Sequence, residues 1–256
     1  MFLGHFALGL AGRSITPQVS LATWFLAVQL VDLLWPLFLL AGLERVRIAP
    51  GITAFTPLDF SHYPITHSLV AGVLWAALLG IGSRRVYRAG STMWLLAGGV
   101  LSHWLLDAVA HRPDLPVWPG GPLVGLGLWN SIGATLIVEL TLFIAGLALY
   151  ARARRPRRSF WVMVGALFVS YLGAAFGPPP PDVRTLAFSA LAVWLFVGVR
   201  GCPTAANDPR EHQRTTPRPN RSPAPKHDRS KIACSPEVSR APRHLRLRSV
   251  KAGPTA

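Results

Sequence analysis

The sequence predicts an all-α fold: a polytopic transmembrane helical bundle of about six spans, with a disordered basic C-terminal tail. Three observations predict it. Hydrophobic residues make up 51% of the 256 and charged residues only 14%, against roughly 25% charged in a soluble domain. Apolar runs that approach the ~30 Å of a bilayer core recur along residues 1–200. Charge is unevenly placed: residues 1–200 hold 14 Lys+Arg and 7 Asp+Glu, residues 201–256 hold 12 and 4, and no lysine precedes Lys226. The chain therefore divides into a transmembrane domain, 1–200, and a cytoplasmic tail, 201–256.

The first segment, "MFLGHFALGLAG", is too short to span and too apolar for a free arm, so it lies in the interface or re-enters the membrane. It has no basic n-region, and "AGRSITP" is a poor cleavage site, so no signal peptide is expected. Six spans follow, at residues 19–43, 65–82, 91–110, 130–150, 160–176 and 183–199. The second, fifth and sixth are short for a bilayer core. Asn130 or Ser131 is placed to cap the fourth helix. The tail is rich in Pro, Arg and Ser without apolar periodicity, and cannot offset the entropy of ordering. Both cysteines, Cys202 and Cys234, fall there, so no disulfide framework is expected.

Basic residues orient the bundle. With the amino terminus cytoplasmic, the inner segments before the tail carry ten Arg, among them Arg84, Arg85, Arg88 and the run "RARRPRR" at 152–158. The outer segments carry four: Arg45, Arg47, Arg112 and Arg184. Both termini are expected in the cytoplasm of a bacterial inner-membrane protein, with the arginines against anionic headgroups. The tail has no aromatic interleaving or folded motif, so nucleic acid is not an expected partner. The expected partners are membrane lipids.

Ionisable groups inside apolar spans are costly and mark functional candidates. Asp32 lies in the first span, His103 and Asp107 in the third, and Glu139 in the fourth. In "SHWLLDAVAH", His103, Asp107 and His111 fall four apart on one helical stripe. A rise of 1.5 Å per residue puts Asp32 about 16 Å, Glu139 about 14 Å and His103 about 12 Å below the outer helix ends. One polar site in the outward half accounts for all of them. His62 and His67 enter from "FSHYPITHSLV", and His111 and Asp114 from the Pro- and Gly-rich loop after the third span.

Neutral imidazoles and ionised carboxylates are what a divalent metal requires. A His followed four residues later by Asp offers two ligands from one rigid face, and His67, Asp32 or Glu139 can complete the shell. The set suits zinc, with manganese an alternative. A spare carboxylate, Asp32 or Glu139, can then serve as general base. The same groups could instead relay protons or coordinate a transported ion in a permease, or only hydrogen-bond helices together.

"YPITHSL" followed by "LSHWLLDAVAH" resembles the bacterial membrane-bound metal-dependent hydrolases, integral inner-membrane proteins distantly related to zinc-dependent phospholipase C. The resemblance covers roughly residues 1–115 and implies His5, Asp32, His67, His103 and Asp107 as metal-site residues. It also implies hydrolysis of a phosphoester or lipid-like substrate. Relatives often carry "PDxD" where this chain has "QLVDLLWP", so one carboxylate of that pattern is missing. His5 joins the other residues only if the first segment re-enters to mid-depth.

Overall fold

Helices begin where an apolar run meets a side chain able to satisfy a free backbone amide. Serine does this three times in the computed structural model, which describes residues 1–88 and 90–201. Ser20 accepts from the Thr23 amide at 3.0 Å and opens α2 (Leu21–Leu40). Ser68 accepts from Ala71 at 3.1 Å and opens α4 (Leu69–Tyr87). Ser131, rather than Asn130, accepts from Ala134 at 3.3 Å and opens α6 (Ile132–Ala153). Asp182 opens α8 (Val183–Gly201) by accepting from Thr185 at 2.8 Å, directly after four prolines that cannot continue a helix. The remaining helices are α1 (Leu3–Ile15), the single turn α3 (Pro64–His67), α5 (Gly90–Ala110) and α7 (Arg158–Phe176).

All six expected apolar segments are helical. Helices α2, α4, α5, α6 and α7 are long and apolar enough to cross a membrane, and α8 contains a shorter apolar stretch, Val183–Gly198. The second span begins later than expected. His67 sits in α3, and Ser68 turns extended before α4 starts.

The first segment is a helix enclosed by the bundle. α1 packs chiefly against α6, and also against α2 and α5, with Leu3, His5, Phe6 and Leu10 almost fully enclosed. Glycine permits the approach: a Cβ on Gly146 of α6 would lie 2.5 Å from the Ala7 carbonyl oxygen, and one on Gly12 would meet the Trp24 ring. Met1, expected on the cytoplasmic side, is 5% exposed, and its amino group pairs with Asp107.

Two small hairpins join the helices. β1 (Arg45–Ile48) pairs antiparallel with β2 (Leu58–His62) across a bulge, and β3 (Leu115–Pro116) with β4 (Leu123–Val124). Their segments meet: the Phe55 amide donates to the Trp129 carbonyl at 3.0 Å. They form a cover over the C-terminal parts of α2 and α5, where Trp35, Leu39, Val46, Tyr63 and Leu115 are buried together. The expected tail from residue 202 onward, with Cys202 and Cys234, lies outside the described residues.

Candidate metal centre

Four elements bring five of the predicted residues together. α1 carries His5, α2 carries Asp32, α3 carries His67, and α5 carries His103 and Asp107. The ligand atoms of His5, His103 and Asp107 lie within 4.8 Å of one another, as do those of Asp32, His67 and His103. Asp107 faces His5 Nε2 with Oδ1 at 3.1 Å, and His103 Nε2 with Oδ2 at 3.1 Å. Asp32 Oδ1 lies 3.3 Å from His67 Nε2 and 3.5 Å from His103 Nε2. The His5 and His103 rings stack with centroids 3.6 Å apart. His5, His67, His103 and Asp107 are all buried, whereas the Asp32 side chain is 30% exposed and forms the open side. Pro36 on the next turn has no amide to offer the Asp32 carbonyl, which loosens α2 there.

The protons can be assigned from hydrogen-bond partners. His103 Nδ1 lies 2.8 Å from the Val28 carbonyl, which only accepts, so Nδ1 carries the proton and donates. Neutral His103 then turns a bare Nε2 toward two carboxylates, and that atom has no hydrogen-bond partner. The Thr66 hydroxyl, 2.7 Å from the Glu44 carboxylate, donates to it, and so accepts from His67 Nδ1 at 2.7 Å. A neutral His67 then presents its Nε2 lone pair to the cluster, where that atom meets Asp32 Oδ1 at 3.3 Å, a contact that without an ion needs a proton between them. Two lone pairs and two carboxylates thus face one another in an enclosed space. Such an arrangement repels itself unless positive charge enters, as a metal ion or as protons. The Met1 amino group, 2.5 Å from Asp107 Oδ1, supplies positive charge along one edge. The donors fit a divalent ion: two triads share His103, and of the three outer ring nitrogens that of His103 is held by a carbonyl and that of His67 by a hydroxyl, while His5 Nδ1 has no hydrogen-bond partner.

Glu139 stands apart from both groups. Its Oε2 accepts from the amides of Phe2, Leu3 and Gly4 at 2.9, 2.6 and 3.3 Å, so it caps α1 from across the bundle and fixes the helix that carries His5. Its Oε1 has no hydrogen-bond partner.

His111, third on the α5 stripe, belongs to the cover. Its Nδ1 lies 2.9 Å from Asp114 Oδ1 and 3.2 Å from the Tyr63 hydroxyl. Asp59 binds both Arg47 and Arg112, and Arg112 reaches Asp114 at 2.9 Å, so one ion-pair network ties the first hairpin to the loop after α5. Burial pushes the His111 imidazole below its ordinary range and the Tyr63 phenol above its own. His62 is exposed on β2.

Sequence reasoning missed Glu44, which is 2% exposed. It follows the apolar Leu43 and precedes Arg45, so it reads as an ordinary loop charge. Its only signal is rarity, as one of seven acidic residues before position 201. Thr66 sits inside the "THS" element without advertising a role of its own.

Residues 2–177 match the family described as YdjM inner membrane protein. No curated protein and no solved structure matches the chain.

Proposed function

Because that match spans well over half of it, the chain belongs to the YdjM inner membrane protein family, and from that premise we propose that it is a metal-dependent hydrolase of phosphoester or lipid-like substrates. One observation carries the reading: the Nε2 atoms of His67 and His103 converge on the carboxylates of Asp32 and Asp107, where an ion can replace the protons that hold them together. His5, His67, His103 and Asp107 would hold the ion, and Asp32, on the open side, would either join its shell or stand beside it as the base. Three imidazoles favour zinc over harder ions, with manganese second. When bound, such an ion supplies Lewis acidity that polarises a phosphoryl oxygen and favours deprotonation of water. Asp32, the accessible carboxylate, is placed to accept that proton. Glu139 holds α1 and so keeps His5 in register.

The substrate class follows from the setting. Asp32 opens from a helix whose Leu37 and Leu40 are exposed as lipid-facing residues are, so the approach to the site runs through apolar surroundings. The arginine bias of the loops supports cytoplasmic inner turns, which puts the centre in the outer half of the inner membrane.

Metal content by mass spectrometry of the detergent-purified protein tests this, beside a His103→Ala, Asp107→Asn double variant. The expected result is about one or two ions per chain in the parent and none in the variant. Turnover of a phosphoester in detergent, with no gradient present, should follow. If neither protein takes up an ion after loading with zinc or manganese, the hydrolase reading falls. A proton- or ion-coupled transporter using the same buried groups would then stand.

A further inference from the structure

We infer that Glu44 and Thr66 are positioning residues for the metal centre, fixing the proton of His67 on Nδ1 so that its Nε2 lone pair points at the ion. This rests on the metal reading above. Glu44 lies 23 residues before His67, at the far end of α2 from the chain's start, and is buried. Its Oε1 accepts from the Ile65 and Thr66 amides, both at 2.8 Å. Its Oε2 accepts from the Thr66 hydroxyl at 2.7 Å, and the same hydroxyl lies 2.7 Å from His67 Nδ1.

The direction of this chain follows from the atoms. An ionised carboxylate has no proton to give, and a threonine hydroxyl has one. Once that proton is committed to Glu44, the hydroxyl oxygen toward His67 can only accept, so the ring proton stays on Nδ1. The outer partner of a metal-binding imidazole sets both its tautomer and its basicity. His103 receives the same service from the Val28 carbonyl, which is fixed by the helix. His67 lies in a single turn between a hairpin and a helix cap, and has no such neighbouring backbone acceptor on its own ring nitrogen. The carboxylate and hydroxyl replace it.

The bland alternative is that Glu44 merely satisfies the amides at the start of α3. Glu44→Gln separates the two. A glutamine oxygen can still take both amides, so the turn keeps its cap. Its NH2 then faces Thr66 and donates, which frees the hydroxyl proton to turn toward Nδ1 and removes the bias that held the ring proton there.

The test is zinc affinity by competition with a chromophoric chelator, together with ¹⁵N histidine NMR of the metal-free protein in detergent. The His67 signal is assigned by its loss in His67→Gln. The expected result is Nδ1 protonated in the parent and a shift of the ring proton toward Nε2 in Glu44→Gln. Zinc affinity should fall about 10- to 100-fold in Glu44→Gln and in Thr66→Val, and recover in Thr66→Ser. The metal-free thermal midpoint of Glu44→Gln should stay near the parent's. Parental tautomer and affinity in Glu44→Gln would overturn the inference and leave Glu44 a cap. If the parent binds no zinc, the hydrolase reading fails separately, and the tautomer comparison still decides whether Glu44 and Thr66 orient His67.

Discussion

His111 shows how two neighbouring histidines on one stripe diverge. Eight residues after His103 it has left the helix, and its partners are Asp114 and Tyr63 rather than the central carboxylates. Burial holds it below its ordinary value, whereas an unfolded imidazole titrates near 6.5. Protons therefore bind the unfolded chain first. The stabilisation is complete above about pH 6.5 and is lost as pH falls through that value toward the folded one. Thermal midpoints of chelator-treated protein between about pH 6.5 and 5 should drop more steeply in the parent than in His111→Gln; equal slopes would refute it. The residues of the centre were legible because an ionisable group in an apolar run is conspicuous. Asp32, His103 and Asp107 met that criterion, as did Glu139, which the fold gives to the start of α1 instead; His67 was marked only as entering at the start of the second span, and His5 came from the motif resemblance. Glu44 did not, because it lies just outside the α2 run, and only the folded turn brings Thr66 against it.

At the scale of elements, α1 is the departure from an ordinary bundle. Its 13 residues cannot cross a bilayer, yet it is enclosed by α2, α5 and α6. The sequence left it between interface and re-entry, because its apolar composition suits either. What encloses it in the bundle is tertiary: the Glu139 carboxylate that satisfies its first amides, and the bare backbone face of Gly146. Gly146→Ala should destabilise by about 1–3 kcal/mol through overpacking and weaken metal retention with it. Gly133→Ala, on the same helix with nothing within 4 Å, should leave both unchanged. Thermal unfolding and metal content of the two variants check this. The hairpins escaped sequence reading for a different reason: strands of two to five residues carry too little alternation to register against long apolar runs.

For the whole molecule, ligands drawn from α1, α2, α3 and α5 make an ion a cross-link among four elements. Zinc at a hundredfold excess over its dissociation constant should stabilise the fold by about 2.7 kcal/mol. The parent's thermal midpoint should therefore rise on zinc addition and fall on chelation. His103→Ala should respond to neither, and a parental response from that variant would move the site elsewhere. The same geometry constrains biogenesis. The first amides of α1 are satisfied by Glu139, more than a hundred residues further along the chain, so that cap can form only once α6 has been made. Until then the helix that carries His5 lacks that anchor. Maturation of the centre is therefore a late event in assembly, and a ribosome stalled before α6 would leave a chain that has most of its ligands but not its completed site.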